Sequence, residues 1–155
     1  MKRLLFIAHR MPYPPDKGER LRAFHQIRAL AGAFDVTVAA LTHDAADRDA
    51  ADRLAGTAVR VVHAPAGGWR GLLRGAASLL RGGSVTEGYF RSRRLARLIQ
   101  REHVARPFDL VFCSASSTLA YAMNLYIPAV MDLVDVDSLK WTEYAELSRG
   151  VKRLL

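Results

Sequence analysis

Five short apolar runs punctuate the chain, each ending in turn-forming residues: Arg3 to Ala8, Asp35 to Leu41, Ala58 to Ala64, Asp109 to Cys113 and Ala129 to Leu133. They are near-continuously apolar rather than alternating, as expected of strands buried on both faces of a parallel sheet. Between the first two, Leu21, Phe24, Ile27 and Leu30-Ala31 recur at helical spacing from Gly18, and Gly32 is placed to stop that helix. Asp44 to Leu54 is a second helical segment with Asp44 as its N-cap. The order β-α-β-α-β at this spacing predicts an α/β fold with a doubly wound, mostly parallel, Rossmann-like sheet.

Two further segments read as basic helices. In Trp69 to Arg81, at about 100° per residue, Arg70, Arg74 and Arg81 fall within one narrow stripe, while Trp69, Leu72, Leu73, Ala76, Leu79 and Leu80 occupy the opposite side. Such a helix either packs on the sheet or lies on an anionic membrane with Trp69 at the interface. Gly71 and Gly75 cost it roughly 1 kcal/mol each relative to alanine, so it requires a packing partner. In Arg93 to Val104, Leu95, Leu98 and Ile99 point inward and Arg94, Arg97 and Arg101 share an outer face. Ser114 to Thr118 supplies hydroxyls where a helix should start, either as N-caps or beside backbone N–H groups that hold an anion. The polar stretch Asp132 to Ser138 precedes a helical stretch from Leu139 to Leu147. Leu110 to Met131 is long enough and uncharged enough to resemble a membrane span, but its serines, Asn124 and Pro128 read instead as strand, turn, helix and strand.

At 155 residues, half of them hydrophobic, the chain fits one domain, 1–155, with a substantial core. The single Cys113 excludes a disulfide framework and a thiolate zinc site, and a reducing compartment is the simplest setting. Only Leu4 to Ala8 separates the basic start from His9-Arg10, too short for an export signal. The net charge of +8 is concentrated: Arg70 to Arg106 holds nine arginines against Glu87 and Glu102. A basic middle on a near-neutral body is either a solvated face or a surface aimed at something anionic.

Ligands of open α/β sheets bind beyond the carboxyl ends of the strands, where His9 to Glu19, Cys113 to Thr118 and Asp132 to Ser138 should converge. The first loop lacks both G-x-G-x-x-G and the P-loop pattern, which removes the main support for dinucleotide and ATPase chemistry. Its three prolines stiffen it, and Gly18 leaves room for close approach by a ligand. His9 ends the first strand on the ligand side and is a candidate contact to sugar or phosphate; His25, His43, His63 and His103 are scattered and read as structural. Tyr89-Phe-Arg91 offers an aromatic face for a sugar and a guanidinium for phosphate, or else anchors its loop in the core. Asp135-Val-Asp137 spells a D-x-D, open to three readings: helix cap, metal-free site or divalent-metal site.

The strand followed by Pro12-Tyr-Pro-Pro-Asp-Lys-Gly-Glu-Arg-Leu-Arg22, and then Phe34 to Val38, resembles the amino-terminal lobe of retaining GT-B glycosyltransferases of the family-four type. Asp109 to Ser114 together with Pro128 to Trp141 resembles more closely the sugar transferases associated with exosortase and PEP-CTERM exopolysaccharide clusters. The resemblance implies an acceptor-binding lobe that works with a second, donor-gripping lobe and transfers sugar from a nucleotide-sugar to a lipid-linked or polysaccharide acceptor, without cofactor or required metal. It implies that Gly18, with Lys17 beside it, faces the donor phosphates. Where the family commonly has a histidine after the fifth strand, this chain has Asp132, Asp135 and Asp137, and Asp135 is the candidate sugar-orienting residue or base. His9, Tyr89 and Arg91 are the candidate acceptor contacts, and Trp69, Arg70, Arg74 and Arg81 the candidate membrane face.

The resulting expectation is a cytoplasmic glycosyltransferase lobe, peripheral on the inner face of the cell membrane, with no room before Leu155 for a donor lobe and so inactive alone. Two alternatives stand beside it: a noncatalytic anion- or membrane-binding domain, and a metal-dependent D-x-D enzyme. Nucleic acid is not expected as a partner, because the basic segment lacks interleaved aromatics and a recognition motif.

Overall fold

The computed structural model describes residues 1–16, 18–57, 59–66 and 91–133. Within them five strands, β1 (Arg3–Ala8), β2 (Asp35–Thr42), β3 (Arg60–Pro65), β4 (Leu110–Cys113) and β5 (Ala129–Met131), form one all-parallel sheet in the order β3-β2-β1-β4-β5. The helices are α1 (Gly18–Ala31), α2 (Ala45–Ala55), α3 (Arg93–Ala105) and the single turn α4 (Leu119–Ala122), flanked by 3₁₀ turns at Ser116–Thr118 and Met123–Leu125. This is an α/β, Rossmann-like fold.

Alternation of side chains along each strand divides the core into two layers. Leu4, Phe6, Val36 and Val38 face Ala23 and Ile27 of α1 and Ala50, Ala51 and Leu54 of α2. Leu5, Ile7, Ala39 and Leu41 face the other way, against Leu95 and Ile99 of α3 and Tyr121 and Leu125 beyond β4. Each fully buried Leu, Ile or Phe contributes roughly 1.5–3 kcal/mol. Phe6 and Phe112 stack across β1 and β4, with centroids 5.1 Å apart and planes 8° from parallel.

The caps follow the sequence reading in two places. Asp44 accepts from the Asp47 N–H at 2.8 Å at the start of α2, and α1 ends one residue before Gly32. Ser92 caps α3 by accepting from the Leu95 N–H, while its own N–H donates to the Tyr121 hydroxyl at 2.7 Å.

The expected N-capping by Ser114 to Thr118 does not occur. Ala115 occupies the first N-cap position, neither short turn carries a side-chain cap, and the Thr118 hydroxyl donates back to the Ala115 carbonyl at 2.7 Å. The segment is three- and four-residue turns rather than one regular helix, so there is no extended N-terminus to cap. β4 starts at Leu110 because Asp109 is occupied by Arg3: the two backbones bond, and the Asp109 carboxylate accepts from the Arg3 N–H at 2.7 Å. β5 stops at Met131, two residues early, as Asp132 turns its side chain toward α1. The Trp69 to Arg81 and Leu139 to Leu147 helices lie outside the described residues. No helix among the described residues is long and apolar enough to cross a membrane.

Tyr126, at the end of the second 3₁₀ turn, has φ 53° and is 94% exposed. A left-handed backbone costs a Cβ-bearing residue about 1–2 kcal/mol, and here no side-chain burial offsets it. Tyr126→Gly is expected to raise the unfolding free energy by about 0.5–1 kcal/mol, less than the full strain because glycine loosens the unfolded chain. A urea titration that shows an unchanged or lower midpoint would contradict this.

Candidate functional site

The sheet order reverses between β1 and β4, because the chain steps outward through β2 and β3 on one side and through β4 and β5 on the other. Connections leaving the two strands diverge to opposite faces, and a crevice opens at their carboxyl ends. There the Ser114 N–H donates to the Ile7 carbonyl at 3.0 Å, so the residues just past β4 and just past β1 are neighbours. The crevice is a shallow, open cleft lined by His9, Arg10, Pro12, Glu19, Arg20 and Ser114, among others.

Its charged side chains lie beside groups of opposite charge or beside the imidazole. The His9 imidazole Nε2 lies 3.2 Å from a Glu19 carboxylate oxygen, and the other oxygen is 3.6 Å from the Arg10 guanidinium. Burial holds the His9 pKa below its ordinary 6.5, against the opposing pull of Glu19. At neutral pH the ring is therefore uncharged, and with a carboxylate as partner Nε2–H is the donor. Arg20 reaches Asp16, ahead of the helix, at 3.7 Å, and Asp47 at 3.3 Å. Asp47 is buried at the start of α2, where its carboxylate also accepts from the His43 N–H at 2.7 Å. The first turn of α1 is thus fastened to the first turn of α2.

The third segment arrives on the same helix. The Asp132 carboxylate accepts from Arg22 at 2.9 and 2.8 Å, a two-pronged fork, and from Gln26 at 2.6 Å. Its backbone N–H donates to Cys113 at the end of β4.

Gly18 opens α1 immediately before Glu19 and Arg20, and a Cβ built on it would meet none of the described residues beyond its chain neighbours within 4 Å. Its backbone is not left-handed, so neither a turn nor internal packing demands a glycine there. Arg91 is exposed, ahead of the Ser92 cap, and does not line the cleft. Lys17, Tyr89, Asp135 and Asp137, with Trp69, Arg70, Arg74 and Arg81, lie outside the described residues. Among the described residues, no three His, Cys, Asp or Glu side chains gather as metal ligands. His103 has a structural role, accepting from the Phe108 N–H at 3.1 Å and stacking on that ring. Burial pushes the Cys113 thiol up, which keeps it protonated.

Sequence reading passes over Arg20–Asp47 and Arg22–Gln26–Asp132. One signal was present: Arg22 and Gln26 stand four apart and so share a helix face. The distant partners of Arg20 and Arg22, Asp47 and Asp132, have no local signature.

His9 makes stability pH-dependent in a defined direction. With the folded-state pKa below 6.5, the unfolded chain takes up the proton first, so this contribution is complete above about pH 6.5 and is lost as pH falls below it. Urea titrations at about pH 7 and pH 5 are expected to show a larger loss for the native chain than for His9→Gln. Equal losses would place His9 outside the pH response.

No protein-family model, curated protein or solved structure matches the chain, so the chemistry of the cleft itself carries the functional reading.

Proposed function

We propose that this domain is the acceptor-binding lobe of a retaining, GT-B type glycosyltransferase, which transfers sugar from a nucleotide-sugar to a lipid-linked or polysaccharide acceptor. The observation that carries the reading is the charge-compensated, hydrogen-bonding crevice at the β1/β4 reversal. A cleft whose arginines are matched by carboxylates and whose histidine is neutral attracts a bare anion weakly, yet offers donors and acceptors to hydroxyl groups. His9, Glu19 and Ser114 are the groups that would contact a saccharide. Gly18 supports a second approach: none of the described residues beyond its chain neighbours occupies the space a side chain would take, which suits a donor diphosphate drawn close to the backbone of α1. In this reading Lys17 joins Gly18 at the phosphates, Tyr89 and Arg91 extend the acceptor site, Asp135 orients the reacting sugar, and a second lobe supplies most donor contacts.

The test is binding of a soluble oligosaccharide to the 155-residue chain, followed by amide chemical shifts. Perturbations are expected at residues 8–20 and 113–118, and Glu19→Gln is expected to weaken binding about tenfold, the value of one charge-assisted hydrogen bond. Gly18→Val is expected to keep the melting temperature, since its Cβ has open space, while lowering sugar transfer about a hundredfold when a donor lobe is supplied. Perturbations confined to other surfaces, or full transfer by Gly18→Val, would overturn the assignment.

A further inference from the structure

We propose that the outer face of α3 is a docking surface for an anionic lipid bilayer. The inference is separate from glycosyl transfer and concerns a different surface from the Trp69 to Arg81 stripe. Arg93, Arg94, Arg97 and Arg101 are all exposed, and at about 100° per residue they fall within an arc of about 100°, on the side away from the buried Leu95 and Ile99.

These four differ from the arginines that are tied into the fold and the cleft by ion pairs. Arg3, Arg10, Arg20, Arg22, Arg60 and Arg106 each lie 2.8–3.7 Å from a carboxylate oxygen. None of the four on the outer face of α3 has an acidic partner among the described residues, although Glu102 on the same helix pairs with Arg60. Among the described residues the helix therefore presents four uncompensated charges along about 12 Å.

A bilayer fits this face better than a nucleic acid does. The face carries no aromatic side chain on which a base could stack. It does carry Val104, 72% exposed and within the arginine arc, an apolar contact suited to the headgroup boundary. α3 covers the sheet face opposite α1, so a bilayer held there leaves α1 and its Glu19 and Arg20 uncovered.

The experiment is co-sedimentation of the full chain with phosphatidylglycerol–phosphatidylcholine vesicles, with phosphatidylcholine vesicles and a DNA duplex as comparisons. Binding is expected to the anionic vesicles alone and to fall with added salt. Arg94→Gln/Arg97→Gln/Arg101→Gln, which preserves helix propensity, is expected to weaken it about a hundredfold, from roughly 1 kcal/mol per near-surface charge. The corresponding triple change to Glu is expected to abolish it, and circular dichroism checks both folds. Unchanged vesicle binding by a folded Gln variant, equal binding to neutral vesicles, or tighter binding to the duplex than to anionic vesicles would each overturn the proposal.

Discussion

β1 is enclosed on every side, and the rest of the molecule is arranged around that enclosure. All six of its residues are buried, β2 and β4 occupy its two edges, and the two core layers occupy its faces. Parallel connections are right-handed, so strands added in opposite directions from β1 send their crossovers to opposite faces. α1 and α2 cover one layer and α3 the other. The crevice at the carboxyl ends of β1 and β4 follows from this divergence. No special loop is required to create it, and loop residues determine only which chemistry lines it.

That chemistry is governed by how charge is matched. Two unit charges 4 Å apart near a protein surface attract by about 4 kcal/mol at an effective dielectric of 20, and desolvating each costs several kcal/mol. The Arg20–Asp47 pair, with Asp47 buried, is therefore a poor source of net stability. Its consequence is geometric, since it fixes the first turn of α1, with Glu19, against α2. Glu19 in turn divides its carboxylate between His9 and Arg10. The result is a nearly neutral, well-oriented set of hydrogen-bonding groups, in contrast to the uncompensated outer face of α3. Among the described residues, carboxylates thus match the arginines of the cleft, while the one carboxylate of α3, Glu102, is turned to Arg60 rather than to the outer arginines.

The central strands β1 and β2 were legible because the parallel sheet buries both their faces, and burial leaves continuous apolar runs. β1 matches its run from Arg3 to Ala8, and α1 ends where Gly32 signals. The inward and outward sides of α3 were equally legible, since Leu95 and Ile99 repeat at four residues. Element ends were less so where a side chain had a distant partner: Asp109 is claimed by Arg3 and Asp132 by Arg22, across separations that no local pattern records. The hydroxyls of Ser114 to Thr118 misled for a related reason. They suit an N-cap, but this segment folds as short turns in which Thr118 bonds backward. Of the candidate site, the convergence of His9 and Ser114 followed from topology, while the network through Glu19, Arg20 and Asp47 required tertiary structure.

α1 connects the parts of the site. Its first turn supplies Glu19 and Arg20 to the cleft, and its next turns supply Arg22 and Gln26 to Asp132. β5 is a three-residue strand that, among the described residues, pairs with β4 alone, so its own ladder holds its end weakly. The Arg22 fork is half exposed, and an exposed pair contributes about 1 kcal/mol or less. That is too little to hold the fold together but enough to select one path for the chain as it leaves the sheet. Because Glu19 and Arg22 stand on the same rigid helix, a rotation of α1 that altered the cleft would also strain the fork at Asp132. The cleft and the exit from β5 are therefore set by one helix orientation, which Asp47 fixes from one side and Asp132 from the other.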